Sequence, residues 1–461
     1  MRGTDRIAVI LLTNLPKGEK KSRDLLFISP CAIAIQIFFL FLRRRKFIST
    51  PHDMNSIARP LLTLLLLMAA LVGQAQKVVI SGTVTNAENN DLVPQASVSD
   101  PRSGVSVVTN DDGFFTLKVD AAPEVIVVSH LGYKTKKMRV NSNRLEDLAV
   151  KLSPTSISLS EIVVWTENPR DLVNIAISKI PENYSKSPQL YNCFYRETAM
   201  KRNHYVYVAE GVVDMYKTAY DKANYRDKVA IIKGRRLLSP KQNDTLTVKV
   251  MGGPVQPIQL DIAKNLDFLL NPEDLANYRF TMLPMATIDD RVQYVVQISP
   301  DNVLPYALYY GKLYIDRETL AFTRAELELD MSDRAKATQY MLVRKPSGVR
   351  FKPKEMSCLI DYKYENGLTT ISYIRNTFRF NCDWKRRLFS TSFAAFCEMV
   401  VTDRNEENVQ PISGRSSFDS KDAFYDKVDY FRDPEFWKDY NIIEPSESLD
   451  KAISKLVRKH Q

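Results

Sequence analysis

Histidine is scarce in this chain: His52, His130, His204 and His460 are all that 461 residues contain. None stands in a His-x-x-Glu or His-Glu-x-x-His arrangement, so the ligand spacing of a zinc peptidase is missing. Glycine numbers 15, and no Gly-rich phosphate loop occurs. No Gly-x-Ser-x-Gly elbow is present either; Gly414-Arg415-Ser416-Ser417 reads as a polar loop. The net charge of +10 is concentrated at one end, because residues 1–75 hold 11 Lys and Arg against four Asp and Glu. The remaining 53 basic and 50 acidic residues nearly cancel, which removes the electrostatic footprint of a nucleic-acid binder.

What the N-terminus does have is two apolar runs. Leu25 to Leu42 is followed by Arg43-Arg44-Arg45-Lys46, the pattern of a membrane helix with a basic flank. The second run begins at Met54: Arg59 supplies a positive flank, Leu61 to Val72 an apolar core, and Gly73-Gln74-Ala75 a cleavage site. Cleavage there makes Gln76 the first mature residue. A complete signal peptide behind an internal Met favours an over-extended start for residues 1–53; the rival reading is a real anchor at 25–42, through which the chain would associate with a membrane. No Cys follows the run to carry a lipid. Four cysteines remain beyond the cut, Cys193, Cys358, Cys382 and Cys397. Their even number permits disulfides, while the apolar β-patterned surroundings of Cys193 and Cys358 suit buried thiols equally.

From Val78 to Leu152 short β-branched runs alternate with turn signals. Val78 to Val84 is followed by Asn89-Asn90-Asp91, and Asn110-Asp111-Asp112-Gly113 leads into Phe114 to Val119. Gly113 suits the positive φ of a tight turn, and Pro94 fixes a strand entry. About seven such strands predict a β-sandwich. Ser81-Gly82-Thr83-Val84, Val93-Pro94-Gln95-Ala96-Ser97-Val98, Thr109 to Phe115 and Ile126 to Lys134 occur in the order of the carboxypeptidase regulatory-like domain, which residues 77–152 resemble. Gln95 departs from the glycine that family usually has there. The resemblance implies a non-catalytic module and brings no peptidase with it. His130, beside a β run without a partner ligand, reads as a packed or solvated residue.

A Ser/Thr-rich linker, Ser153 to Ser160, precedes Glu161-Ile162-Val163-Val164-Trp165, which resembles the segment after this module in TonB-dependent receptors. Roughly 290 residues remain, and the expectation is that they do not build a receptor barrel. Instead Asn168-Pro169-Arg170-Asp171 starts a helix carrying Leu172, Val173, Ala176, Ile177 and Ile180 on one face. Strand patterns follow at 191–200, 205–216 and 228–233. A helical interlude spans Pro257 to Leu270, with a second start at Asn271-Pro272-Glu273-Asp274. Further strands are read at 291–299, 311–315, 320–329, 338–344, 349–351, 354–364 and 369–380, with Asn366-Gly367 as a two-residue hairpin turn. Gly311 to Thr319 resembles a hairpin of lipoprotein-carrier-like half-barrels, which implies a sheet curled about a helix. An apolar hollow and a filled core both remain open. Asn405 to Ser420 reads as a loop, Tyr425 to Tyr440 as an aromatic stretch docking on the domain surface, and Ser446 to Arg458 as an amphipathic helix.

The expected fold is mainly β, an N-terminal β-sandwich followed by a larger α+β domain with a curved antiparallel sheet. Its divisions are an N-terminal extension or anchor (1–53), signal peptide (54–75), sandwich (76–153), linker (154–168), α+β domain (169–404) and a loop, aromatic stretch and terminal helix (405–461). No catalytic, cofactor-binding or metal-binding residues are assigned. Cys193 with His204 lacks a supporting motif, and Asp289-Asp290 reads as a turn. The expected role is a non-catalytic exported protein of the periplasm or outer-membrane periphery, with the sandwich as a docking or spacer module and the curved β domain binding an envelope protein or an apolar ligand. An assembly factor for an outer-membrane complex and an envelope hydrolase are the alternatives.

Overall fold

The computed structural model describes residues 10–13, 77–141, 145–155, 168–222, 226–238, 247–385, 389–429 and 436–458. The proposed signal peptide and the apolar run 25–42 lie outside the described residues. Among the described residues no helix is long and apolar enough to cross a membrane.

Seven strands make the predicted sandwich: β2 (Val78–Asn86), β3 (Ser97–Ser99), β4 (Ser106–Val108), β5 (Phe114–Val119), β6 (Val125–Ser129), β7 (Lys136–Arg139) and β8 (Leu148–Leu152). They form one sheet in the order β5-β2-β8 and another in the order β4-β3-β6-β7. Alternation along β2 and β5 sends Ile80, Val84, Phe115 and Leu117 into a shared core with Val98, Ile126, Val128 and Val150. Gly113 turns at φ 70°, as its sequence context requires. Gln95 adopts φ 60°, in the left-handed region that glycine takes at less cost.

The larger domain is a ten-stranded antiparallel sheet. Its strands are β9 (Gln189–Lys201), β10 (His204–Lys217), β11 (Lys228–Leu238), β13 (Tyr278–Ile288), β14 (Arg291–Pro300), β15 (Tyr309–Asp316), β16 (Phe322–Leu329), β18 (Val349–Glu365), β19 (Leu368–Trp384) and β20 (Thr391–Asn405). The order is β11-β10-β9-β20-β19-β18-β16-β15-β14-β13. The C-terminal strand β20 therefore sits between β19 and β9, joining the first hairpins to the later meander. Asn366 and Gly367 both take positive φ and join β18 to β19. Asp289 and Asp290 form the β13–β14 turn, likewise at positive φ.

Helix α1 (Pro169–Ser178) is capped by Asn168, whose side chain accepts from the Arg170 N–H. Its residues Leu172, Val173 and Ala176 enter a core with Tyr191, Cys193, Tyr195, Val213 and Met215 from one face of the sheet. We call this the inner face. The short helix α3 (Gln256–Leu260), which follows the one-turn helix α2 (Ile180–Asn183), adds Ile258 and Leu260 to the same core. A three-stranded sheet of β12 (Thr247–Val250), β1 (Ile10–Thr13) and β17 (Leu342–Arg344) completes it, in the order β12-β1-β17.

Two readings of the sequence need correction. Thr338 to Met341 belongs to helix α5 (Arg334–Met341), which comes after the single turn α4 (Pro272–Leu275); strand begins at Leu342. The Asp333 side chain accepts from the N–H groups of Ala335 and Lys336, and this cap outweighs the β-like pattern of 338–344. The separate runs 349–351 and 354–364 are one strand whose register shifts at Pro353. Strands β1, β12, β13 and β20 have no counterpart in the sequence reading.

Candidate ligand-binding pocket at the sandwich–sheet junction

The other face of the sheet, the outer one, carries Phe194, Arg196 and Thr198 of β9 alternately with the inner residues. It is covered by the sandwich and by the tail. Val108 of β4 packs with Phe194, Val212, Tyr373 and Val400 of the sheet and with Phe436, Trp437, Ile442 and Ile443 of the tail. The aromatic stretch is thus a docking element, as its pattern predicted; Tyr430 and Phe431 lie outside the described residues. Helix α7 (Glu447–Arg458), which follows the single turn α6 (Phe424–Lys427), lays Leu449 and Leu456 against Val208 and Leu237.

Polar contacts fix the sandwich in place. The Asn441 side chain clamps Lys118 by accepting from its N–H at 2.7 Å and donating to its carbonyl at 2.9 Å. Lys118 Nζ donates to the Trp437 and Tyr440 carbonyls at 2.8 and 3.0 Å. Ser106 donates to the Val401 carbonyl, Asn110 to that of Pro445, and the Glu447 N–H to Asp112. Along another strip the Gly132 N–H meets the Thr287 carbonyl and the Thr135 N–H meets Asp290. The sandwich is docked on the larger domain.

Where sandwich, sheet and tail converge lies a cavity of about 290 Å³. Gln95, Thr109 and Asn110 form the sandwich wall, Tyr373, Phe396 and Glu398 the sheet wall, and Ile443, Glu444, Ser446 and Leu449 the tail wall. Its floor is Arg196, 3% exposed. Arg196 donates through Nε to Glu210 at 2.9 Å, through Nη2 to the Ile443 carbonyl at 2.5 Å, and through Nη1 to Glu398 at 3.4 Å. Glu210 also accepts from Arg235 at 3.0 Å and from the Trp437 indole at 3.2 Å. Burial alone would raise the Glu210 carboxyl, but Arg196 and Arg235 outweigh it and hold it below its ordinary value. Tyr373 donates to the remaining Glu398 oxygen at 3.2 Å. Phe396 lies between two guanidinium groups, Arg375 at 5.6 Å and Arg379 at 5.4 Å from its centroid. Arg375 reaches back to Asp111 of the sandwich at 3.3 Å.

This set can bind through charge of both signs and an aromatic face. A second, smaller hollow of about 60 Å³ sits beside His130, Arg324 and Asp361. Burial, aided by Arg324, pushes His130 down to about 4, so it is a packed neutral residue at physiological pH. Cys193 and His204 are not brought together: Cys193 faces Val213 within the β9–β10 ladder, while His204 stands at its turn end opposite Lys201. Burial raises the Cys193 thiol, the opposite of what a nucleophile needs. Cys193, Cys358, Cys382 and Cys397 are buried free thiols. Among the described residues no group of His, Cys, Asp and Glu is placed to hold a metal ion.

The inner face holds polar groups of its own. Lys217 donates to Asp261 at 2.6 Å, and Tyr220 and Tyr362 donate to the same carboxylate at 3.0 and 2.7 Å. Glu197, fully buried, accepts from Tyr195 at 2.7 Å and Tyr207 at 3.2 Å. Arg196, Glu210, Phe396 and Arg375 were not singled out in the sequence. The available signal was ionisable residues amid runs such as Cys193 to Thr198, where both faces of a strand are buried.

Residues 80–164 match the CarboxypepD_reg-like domain family. A TonB-dependent receptor from Formosa agariphila is 31% identical over 113 residues, which cover 24% of this chain and 11% of the receptor. The chain thus spans about a tenth of the curated relative it matches. Among solved structures, an outer-membrane lipoprotein-sorting protein domain from Vibrio parahaemolyticus aligns over 53% of this chain and 95% of its own, with 12% identity and a TM-score of 0.25. A LolA superfamily protein from Nitrosomonas europaea aligns over 52% and 95%, with 12% identity and a TM-score of 0.18.

Proposed function

We propose that this chain is an exported, non-catalytic envelope protein that binds a ligand or partner at the junction of its sandwich and its curved sheet. The observation that carries the reading is the cavity itself, whose walls come from three segments far apart in sequence around a buried Arg196. The inner face, filled by helices and by Tyr191, Tyr195 and Met215, gives less support to an apolar ligand held inside the sheet. Export rests on the signal-peptide pattern of Met54 to Ala75 and on the envelope setting of the relative's module. Periplasm and outer-membrane periphery both suit it.

A photoreactive phenylalanine analogue at position 396, irradiated in intact envelopes, tests the site. The expected result is an adduct, identified by mass spectrometry, that is absent when the analogue replaces Val303, which is 92% exposed. No adduct from 396, or equal adducts from both positions, sinks the proposal.

A further inference from the structure

Strand β1 occupies a gap one strand wide. It pairs antiparallel with β12, Ile10 to Val250 through Thr13 to Thr247, and parallel with β17, Ile10 to Leu342 and Leu11 to Arg344. β12 and β17 do not pair with each other in this sheet. With strands about 4.8 Å apart, their edges stand about 9.6 Å from one another, the width that one inserted strand spans. Ile10 is wholly buried in the core that includes Val248, Val250 and Met341. The gap therefore offers backbone partners on both sides and an apolar seat beneath.

Ile10 lies upstream of the cleavage site read after Ala75, so the processed chain no longer carries β1. Two facing edges would then be left without a strand, and unpaired edges are templates for pairing. From this we infer that the slot between β12 and β17 accepts an extended apolar segment of another polypeptide, added as a strand. Backbone hydrogen bonds supply affinity, and an aliphatic side chain in the Ile10 seat supplies selectivity. The inference rests on the processing reading within the proposed function, and it names the kind of partner that reading leaves unspecified.

The probe is a labelled synthetic peptide of residues 7–15, titrated by fluorescence anisotropy into exported, purified protein whose N-terminus has been sequenced. A chain starting at Gln76 is expected to bind it, with amide exchange slowing at Thr247–Val250 and Leu342–Arg344. Peptide carrying Ile10→Asp should bind about tenfold more weakly or worse, since it puts a charge in an apolar seat. The whole 461-residue chain, produced uncut from Met1, should take up no peptide until its own strand is expelled by Ile10→Asp, which serves if the processed chain folds poorly. A chain beginning at Gln76 that ignores the peptide, or binds it without protecting those amides, overturns the slot. An exported chain that still carries Ile10 overturns the processing reading, and with it the open slot.

Discussion

Arg196 and Glu210 face each other across the β9–β10 ladder, 2.9 Å from Nε to Oε1, with neither side chain more than 3% exposed. A pair this buried is costly to break from one side, because the survivor keeps its charge without its partner. Glu210→Gln and Arg196→Ala should each lower the urea-unfolding free energy by about 3–5 kcal/mol. The double variant Arg196→Ala with Glu210→Gln should lose much less than the sum of the two. Additive losses would show that the two residues do not act as a pair.

The tail should loosen when its clamp on the sandwich is cut. Asn441→Ala removes both hydrogen bonds to the Lys118 backbone and should cost about 1–3 kcal/mol. Limited trypsin digestion should then release fragments ending within 436–458 faster than from the parent. Unchanged digestion would mean that apolar docking of Phe436 and Trp437 suffices alone.

Burial pushes the Glu197 carboxyl up to about 7, despite the hydroxyls of Tyr195 and Tyr207 that favour its charged form. Below the unfolded value of 4.5 the group is protonated in both states and its contribution is complete. As pH rises through 7 that contribution is lost, a difference on the order of 3 kcal/mol. Glu197→Gln should stabilise the protein at pH 8 by about 1–3 kcal/mol and flatten the profile between 4.5 and 7. His130 titrates with the opposite sign in an overlapping window: its lowered value means stability lost as pH falls through 4. The readout is therefore the difference between variant and parent. Parallel profiles would acquit Glu197.

Gly311 pairs with Leu327 at φ 152°, and a Cβ there would drive into the Glu326 carbonyl. Gly311→Ala should cost at least about 2 kcal/mol, with faster amide exchange along β15 and β16. Wild-type stability would mean that the two strands separate freely at this point.

The four thiols offer a simple check. Burial raises all four, and each sits in the sheet, so a thiol reagent should modify none in the native protein. In denaturant without reductant all four should react. Fewer than four would reveal a disulfide.

The sandwich was legible because its strands are contiguous and its turns carry Asn, Asp and Gly. In the larger domain, elements with one buried face announced themselves, as helix α1 and the β18–β19 hairpin did. Strand β20 did not: Phe393, Ala394, Ala395, Cys397, Met399 and Val400 are buried on both faces, so its alternation is blurred. The same double burial hid the pocket. Arg196 and Glu210 look like surface residues until the sandwich and tail are known to cover them, and nothing local in the sequence specifies that cover.

The pairing of β9 with β20 also sets an order of events. Phe194 meets Val400, about two hundred positions later, so the sheet cannot close until nearly the whole chain is present. The sandwich, with all seven strands between Val78 and Leu152, can finish long before. A chain emerging N-terminus first would therefore present a folded module tethered to an open sheet edge, and the slow step of its maturation would be a loop closure. That interval is when β9 is most exposed to pairing with the wrong strand.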